Sequence, residues 1–254
     1  MHNIQALADE IRMNGYVILE KLLSPETTAP MLERFDALLE HKRANEPTNR
    51  GANRYQMHLP FELPFAVPEL YANETVLAIL ENLFGQDMIC TYFASDTPFP
   101  GSDYQPVHLD CRLPFPESAY GVPVYSVVVN TPLVDFTLEN GPLEIWPGGT
   151  HLIGQPKDIE TVSKSMPSLK PLVKVGDVLL RDARMWHRGT PSHGTRSRPN
   201  IAIVYSRGWF RFENHPVRIK IPRSTYQSLD PSLKKMFRYC AILEADGSIR
   251  DADG

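Results

Sequence analysis

The sequence predicts an all-β core with flanking helices. Prolines make up 23 of the 254 residues, well above the usual share of ~5%, and this favours turns and strand edges over long helices. From residue 88 onward, short β-like runs are separated by Pro, Gly and Asn, a density typical of a sandwich or barrel. These runs do not alternate with long helical segments, so a Rossmann-type sheet is not expected.

Before the core, residues 1–87 are predicted to form a mainly helical flank. Apolar residues recur there at helical spacing, between capping residues such as Ser24 before Pro25 and Gly15 after Asn14. The predicted elements are a helix over 4–14, a strand over 16–19, a helix starting at Ser24-Pro25 and continuing over 28–42, and a helix over 73–84. Residues 44–68, rich in Asn and Pro, are predicted to be a long irregular segment that serves as a binding element or lid.

The core is predicted over residues 88–210 and a C-terminal extension over 211–254. No linker divides the chain, so we predict a single domain over 1–254. The predicted strands of the core cover 88–94, 105–111, 122–130, 142–146, 172–174, 177–181 and 199–207. In the extension, residues 224–239 are predicted to form a closing helix and residues 245–254 a frayed tail.

Composition limits the partners. The formal net charge is −4, so the basic excess of a nucleic-acid-binding protein is missing, and binding to anionic membranes is not expected. The apolar runs are far shorter than the ~20 residues that span a bilayer. Cys90, Cys111 and Cys240 show no paired spacing, and the first residues lack the features of a secretory signal. We therefore predict a cytoplasmic protein with reduced thiols, no nucleic-acid partner and no membrane association.

His108 and Asp110 form the first part of a candidate metal site. On a strand, residues i and i+2 project from the same face, so the two side chains would enter one cavity. His187 stands at the far end of another predicted strand, after the turn at Gly176-Asp177. Two imidazoles and one carboxylate are the ligand set of the non-haem Fe(II) oxygenases, which leaves coordination positions open for a 2-oxo acid and O₂. The same three residues could also hold Zn²⁺ for hydrolysis.

Arg198 is a candidate cosubstrate residue. It follows His187 by eleven positions and comes just before the predicted strand 199–207. A guanidinium matches a carboxylate bidentately, so Arg198 could hold the distal carboxylate of 2-oxoglutarate. The alternative interpretation is an ordinary surface arginine.

Three runs together resemble the phytanoyl-CoA dioxygenase superfamily of Fe(II)- and 2-oxoglutarate-dependent enzymes: Gln105 to Asp110, residues 139–151, and the series Gly176-Asp177, His187 and Arg198. The resemblance covers residues 100–210 well and the N-terminal helices only loosely. It implies a double-stranded β-helix, the cupin-like jelly roll, with helices packed outside. It also implies Fe(II) as the metal, with 2-oxoglutarate and O₂ as cosubstrates.

The same resemblance implies a role for each candidate residue. The metal ligands are His108, Asp110 and His187. Arg198 anchors the cosubstrate, Gln105 reaches it from the first metal-binding run, and Asn130 faces the same pocket at a position where many relatives have Trp. His151 is interpreted as a turn residue and not as a ligand.

Two other kinds of residue are expected to be structural. Strand alternation would place Cys111 on the face opposite Asp110, as a buried thiol. The tryptophans Trp146, Trp186 and Trp209 are expected in the core.

The predicted function is oxidation of an unactivated C–H bond of a small molecule, coupled to decarboxylation of 2-oxoglutarate to succinate and CO₂. The product would be an alcohol, or a ketone where the carbon bears an amine, so we expect a hydroxylated or amine-bearing metabolite as substrate. Segments 44–68 and 152–170 are the predicted lids. A zinc-dependent hydrolase and a non-catalytic jelly-roll binding protein remain the alternatives.

Overall fold

The computed structural model describes residues 2–210 and 218–252. Its main element is a six-stranded sheet of order β1-β6-β4-β8-β3-β2, in which every neighbouring pair is antiparallel. The six strands are β1 (Tyr16–Leu19), β2 (Arg54–His58), β3 (Met88–Pro98), β4 (Ser126–Pro132), β6 (Val178–Asp182) and β8 (Asn200–Arg207). Two short strands, β5 (Leu143–Ile145) and β7 (His187–Gly189), form a second sheet. The strand-rich core is a jelly roll, as predicted.

Helices surround the sheets, and most of them cover one face of the large sheet. They are α1 (Ile4–Asn14), α2 (Pro25–Asn45), α3 (Pro68–Tyr71), α4 (Glu74–Phe84), α5 (Ile159–Ser163), α6 (Arg223–Ser228) and α7 (Pro231–Met236). Asn3, Ser24 and Asn73 cap α1, α2 and α4 by accepting hydrogen bonds from backbone N–H groups of the first turn. The long helices bury their apolar faces in one cluster with the outward-facing residues of the sheet, such as Val127 and Val129. No helix in the described parts of the chain is both long and apolar enough to cross a membrane.

The opposite face of the large sheet lines a pocket. Alternation along β4 turns Ser126, Val128 and Asn130 to this inner face, while Val127 and Val129 pack against the helices. The register then aligns rows of side chains across the sheet. Val128 pairs with Arg181 of β6 on one side and with Val204 of β8 on the other, and Val204 pairs with Tyr92 of β3.

Several local predictions were wrong in informative ways. Segment 44–68 contains β2, which pairs with β3 as the edge of the large sheet. Residues 105–111 form no regular strand, and His108 makes a single isolated bridge. The closing helix is two short helices, because Pro231 starts a new one after Asp230. Part of the expected frayed tail, β11 (Ile249–Asp251), pairs with β10 (Ala241–Leu243), which lies beside β9 (Lys220–Pro222). The start of the predicted extension at 211–217, with residues 1, 253 and 254, lies outside the described residues.

Candidate metal centre

A pocket of about 880 Å³ of empty space opens between the inner face of the large sheet and the small sheet. All six residues predicted for the site line it: Gln105, His108, Asp110, Asn130, His187 and Arg198. Histidine and carboxylate ligands gather at one level of the pocket, while Arg198 lies near the end of β3 and the start of β8. The pocket therefore combines a candidate metal site with a separate anion-binding end.

The three candidate ligands converge as a metal site requires. One nitrogen or oxygen from each of His108, Asp110 and His187 lies within 4.8 Å of the other two. Oδ1 of Asp110 is 3.3 Å from Nε2 of His187 and 3.9 Å from Nε2 of His108. Neighbouring ligands that each bind an ion at about 2.1 Å stand about 3 Å apart. Small side-chain movements would therefore bring all three onto one metal ion.

The orientation of each imidazole leaves Nε2 for the metal. Nδ1 of His108 lies 2.8 Å from the carbonyl oxygen of Pro106, and Nδ1 of His187 lies 2.9 Å from that of Met185. Because a carbonyl oxygen can only accept, each of these bonds requires the proton on Nδ1, an arrangement that fixes the tautomer of metal-binding histidines. Burial, with the neighbouring His187, lowers the pKa of His108 to about 4. At neutral pH this ring is therefore in the uncharged form that binds metals.

Arg181 holds the second oxygen of the carboxylate. Its Nη2 donates to Oδ2 of Asp110, and its Nε donates to Oδ1 of Asn130 at 3.2 Å. Burial favours the neutral acid, but the positive charge of Arg181 outweighs it and, with His187, holds the pKa of Asp110 well below its usual range. Asp110 therefore keeps its negative charge and presents Oδ1 alone toward the two imidazoles.

Arg198 forms the other end of the pocket. It is 2% exposed, and its guanidinium carbon lies 4.3 Å from the centre of the Phe136 ring. Its Nε has no hydrogen-bond partner among the described residues. Burial lowers the pKa of Arg198 to about 9, partly opposed by the negative charge of Asp96. A buried guanidinium with an unsatisfied donor is a strong site for a carboxylate.

The comparisons with known proteins agree with this geometry. Residues 11–200 match the family described as phytanoyl-CoA dioxygenase (PhyH), which is most of the chain. The chain belongs to the phytanoyl-CoA dioxygenase family. It is accordingly an oxidoreductase of the dioxygenase type. A curated relative, dioxygenase af480 of Aspergillus fumigatus, is 26% identical over 249 residues, which cover 92% of this chain and 76% of the relative.

Solved structures show the same fold. HygX from Streptomyces hygroscopicus, solved with nickel, 2-oxoglutarate and hygromycin B bound, has a TM-score of 0.63 at 16% identity, covering 85% of this chain and 90% of HygX. SnoN, a non-haem α-ketoglutarate-dependent epimerase from nogalamycin biosynthesis, has a TM-score of 0.60 at 18% identity, covering 80% of this chain and 83% of SnoN. From short runs at 106–110, 132–141 and 181–189 we also predict a closer likeness to kanamycin B dioxygenase, which these matches do not show.

Gln105 and Asn130 have structural partners as well as a place in the pocket. Oε1 of Gln105 accepts a hydrogen bond from the N–H of Gly189 at 2.9 Å, which ties the His108 segment to β7. A Cβ at position 189 would lie 2.6 Å from that oxygen and from both terminal nitrogens of Arg54, so a larger residue there would have to displace these two side chains. Asn130 orients Arg181. Their direct contact with a cosubstrate remains a prediction.

One residue that supports the site, Arg181, was not predicted from the sequence. Arg181 is a charged residue that directly follows the apolar start of β6, Val178 to Leu180. Every residue of this strand is buried. Because a buried arginine needs a partner, an arginine in a predicted buried strand was the sequence signal that could have identified it. Arg54 was also missed: it is 1% exposed and binds Oδ2 of Asp96 at 3.1 Å and the carbonyl oxygen of Thr190 at 3.2 Å.

Cys111 and Trp209 differ from expectation. Cys111 is buried, but it lines the pocket beside Asp110, because the chain leaves the extended conformation after His108 and alternation no longer applies. Burial raises the pKa of its thiol to about 12, so it is no nucleophile. Trp146 and Trp186 lie in the core as predicted, whereas Trp209 is 61% exposed.

The two segments predicted as lids lie in different places relative to the pocket. Arg50, within segment 44–68, lines the pocket, while none of the residues 152–170, all of them described, does so. Glu160 of α5 instead accepts a hydrogen bond from the N–H of Val107 at 3.0 Å. This second segment therefore supports the His108 run from outside. His151 is buried, with Nε2 3.0 Å from the carbonyl oxygen of Arg12, and it is not part of the metal cluster.

Proposed function

We propose that this protein is an Fe(II)- and 2-oxoglutarate-dependent dioxygenase that oxidises an unactivated C–H bond of a small molecule. The observation that carries the proposal is the pairing of a His-Asp-His cluster with a buried, unpaired guanidinium in one pocket. HygX and SnoN, which share the fold, are described with 2-oxoglutarate, one of them also with nickel. The family membership and the donor set support the same cofactors for this chain.

Each residue has a separate task in this proposal. His108, Asp110 and His187 hold the metal through one atom each, and Arg181 keeps Asp110 ionised and oriented. Arg198 binds the distal carboxylate of 2-oxoglutarate, and Gln105 lies between the two ends. When bound, iron supplies the activation of O₂ that accompanies decarboxylation of 2-oxoglutarate to succinate and CO₂. The protein's own contribution is to place one C–H bond of the substrate at the remaining face of the site.

The wall that faces the substrate consists of small residues. Val128, Ala183, Ala202 and Val204 share the pocket with Thr91, whose buried Oγ1 has no partner among the described residues. Such a surface fits a small molecule with both apolar and hydroxyl groups. Of the two predicted substrate chemistries, the hydroxylated metabolite is better supported than the amine, because both acids of the lining bind arginines. A cytoplasmic location remains a prediction.

An anaerobic titration tests the proposal. Fe(II) followed by 2-oxoglutarate should give the visible charge-transfer band of a chelated 2-oxo acid. The His187→Ala variant should lose the band, and Arg198→Gln should need at least tenfold more 2-oxoglutarate to reach it, since a buried charge-assisted pair contributes about 1.5–3 kcal/mol. Arg196→Gln, an exposed arginine outside the pocket, is the matched control.

A wild-type protein without the band would refute the dioxygenase proposal. Metal analysis after anaerobic purification would then separate the zinc hydrolase from the binding protein: tightly held zinc supports the first, and no metal supports the second. Where the band forms, product analysis distinguishes hydroxylation from deamination and from epimerisation, the reaction named for SnoN.

A further inference from the structure

The pocket contains more positive than negative charge. Three arginines line it, Arg50, Arg181 and Arg198, and its only lining carboxylates among the described residues are Asp96 and Asp110. Both carboxylates are engaged. Asp110 binds Arg181, and Asp96 binds a fourth arginine, Arg54, which is buried behind it. Arg50 and Arg198 thus line the pocket without an ion-pair partner in the part of the chain that the structure describes.

Binding of the metal ion and 2-oxoglutarate does not remove this excess of positive charge. A divalent metal ion and the 2-oxoglutarate dianion cancel in formal charge, so the three lining arginines, with Arg54 behind them, still outnumber the two carboxylates. Arg198 takes the distal carboxylate of the cosubstrate under the function proposed above. Arg50 is then the lining cation that still lacks a partner.

Arg50 is an exposed residue of the pocket lining and therefore lies at the mouth of the pocket. The loop that carries Arg50 is held against β2 by the neighbouring Asn49. Oδ1 of Asn49 accepts a hydrogen bond from the N–H of Gln56 at 2.8 Å, and Nδ2 of Asn49 donates to the carbonyl oxygen of Gln56 at 3.0 Å. Burial raises the pKa of Tyr92 to about 12, and the nearby charge of Arg50 opposes this rise. Tyr92 belongs to the same sheet row as Arg181, whereas Asp96 lies four residues, about 13 Å, further along β3.

We propose that the substrate carries an anionic group of the carboxylate type that pairs with Arg50, while its reacting carbon lies against Val128, Ala202 and Val204. This inference rests on the proposed function and adds a substrate class to it. A cationic substrate would meet repulsion from Arg50 at the entrance and find no free carboxylate among the described lining residues. A neutral substrate would leave the guanidinium at the mouth unused.

Three probes with one carbon skeleton test the charge preference: 3-phenylpropanoate, 3-phenylpropanamide and 3-phenylpropylamine. Each is titrated calorimetrically, without oxygen, into protein loaded with Fe(II) and saturating 2-oxoglutarate, so that the Arg198 end is occupied. The variants are Arg50→Gln and Arg50→Glu. Arg196→Gln removes another exposed charge, one that lies outside the pocket, and is the control.

We expect the acid to bind wild type more tightly than the amide or the amine. Arg50→Gln should weaken the acid about fivefold and leave the amide unchanged, a size that allows for partial solvent exposure of the pair. Arg50→Glu should reverse the preference toward the amine, and Arg196→Gln should match wild type.

The inference is overturned if the acid binds no better than the amide or fails to bind, or if Arg50→Gln leaves its affinity unchanged. The charge-transfer band of the loaded protein separates this outcome from failure of the proposed function. Arg50 lies outside the metal and cosubstrate contacts, so the band should form in all four proteins. A missing band in wild type counts against the dioxygenase proposal itself.

Discussion

The two histidines of the candidate metal centre are held in different ways. His187 is 3% exposed and belongs to β7, which pairs with β5 over three residues. The side chain of His108 is 35% exposed, and its segment joins the small sheet through one isolated bridge. One half of the site is thus built into the core, while the other half depends on a few hydrogen bonds.

Those few bonds come from three directions. The N–H of Gln105 donates to the carbonyl oxygen of Gly189 at 3.0 Å, and the N–H of Asp110 donates to that of Ala183 at 2.8 Å. Glu160 accepts from Val107 on the outside. The contrast indicates that His187 and Arg181 act as the fixed reference of the site, onto which the His108 segment is docked.

Removing Arg181 should have the largest effect on the fixed half. Arg181→Met leaves Asp110 and Asn130 without their donor, and breaking a buried ion pair at one partner costs about 3 kcal/mol. Urea unfolding of the metal-free variant should show this loss. Adding Asp110→Asn to Arg181→Met should recover part of it, because the uncompensated charge is gone. A double variant no more stable than the single one would contradict the assigned pair.

The histidines themselves should separate stability from metal binding. In the metal-free protein, His187→Ala should reduce the free energy of unfolding by about 2 kcal/mol, since it empties a packed position, and His108→Ala by less than about 0.5 kcal/mol. Both should abolish metal-dependent stabilisation, measured as the rise in Tm on adding Fe(II) or Ni(II). Equal losses in the metal-free state would contradict the proposed difference between the two halves.

Glu160 tests the docking of the weaker half. Glu160→Ala removes the acceptor for Val107 and should weaken metal binding about threefold, by analogy with other residues that orient ligands from outside. Glu160→Gln keeps an acceptor oxygen and should bind metal as wild type does. Calorimetric titration with Ni(II) measures both. Identical affinity in all three proteins would show that the small-sheet bonds alone position His108.

The smallest expected effect concerns His151, a buried histidine that binds no metal in this arrangement. Burial lowers its pKa below the ordinary value of 6.5, partly opposed by Asp182. As the pH falls below 6.5, His151 therefore binds a proton in the unfolded chain but not in the folded protein, and the free energy of unfolding decreases. His151→Gln should flatten this decrease between pH 6.5 and 5 in urea unfolding, with or without metal. An unchanged slope would assign the decrease to other groups.

The sequence by itself was enough to predict the residues of the candidate site. Residue type and spacing, together with the family resemblance, predicted His108, Asp110, His187 and Arg198 as candidate site residues, because few kinds of side chain bind a metal ion or a carboxylate. Short apolar runs bounded by Pro and Gly likewise determined the all-β core. Capping residues located α1, α2 and α4, since these signals act within one helical turn.

Only the tertiary structure decided how those residues are supported. Arg181 meets Asp110 across 71 positions of sequence, and Arg54 meets Asp96 across 42. Cys111 lines the pocket because the chain bends after a single bridge, and segment 44–68 contributes an edge strand because β3 offers a partner. Charge balance in the pocket is a sum over such distant groups. No local sequence pattern predicts this charge balance, because the role of each arginine depends on whether folding places a carboxylate beside it.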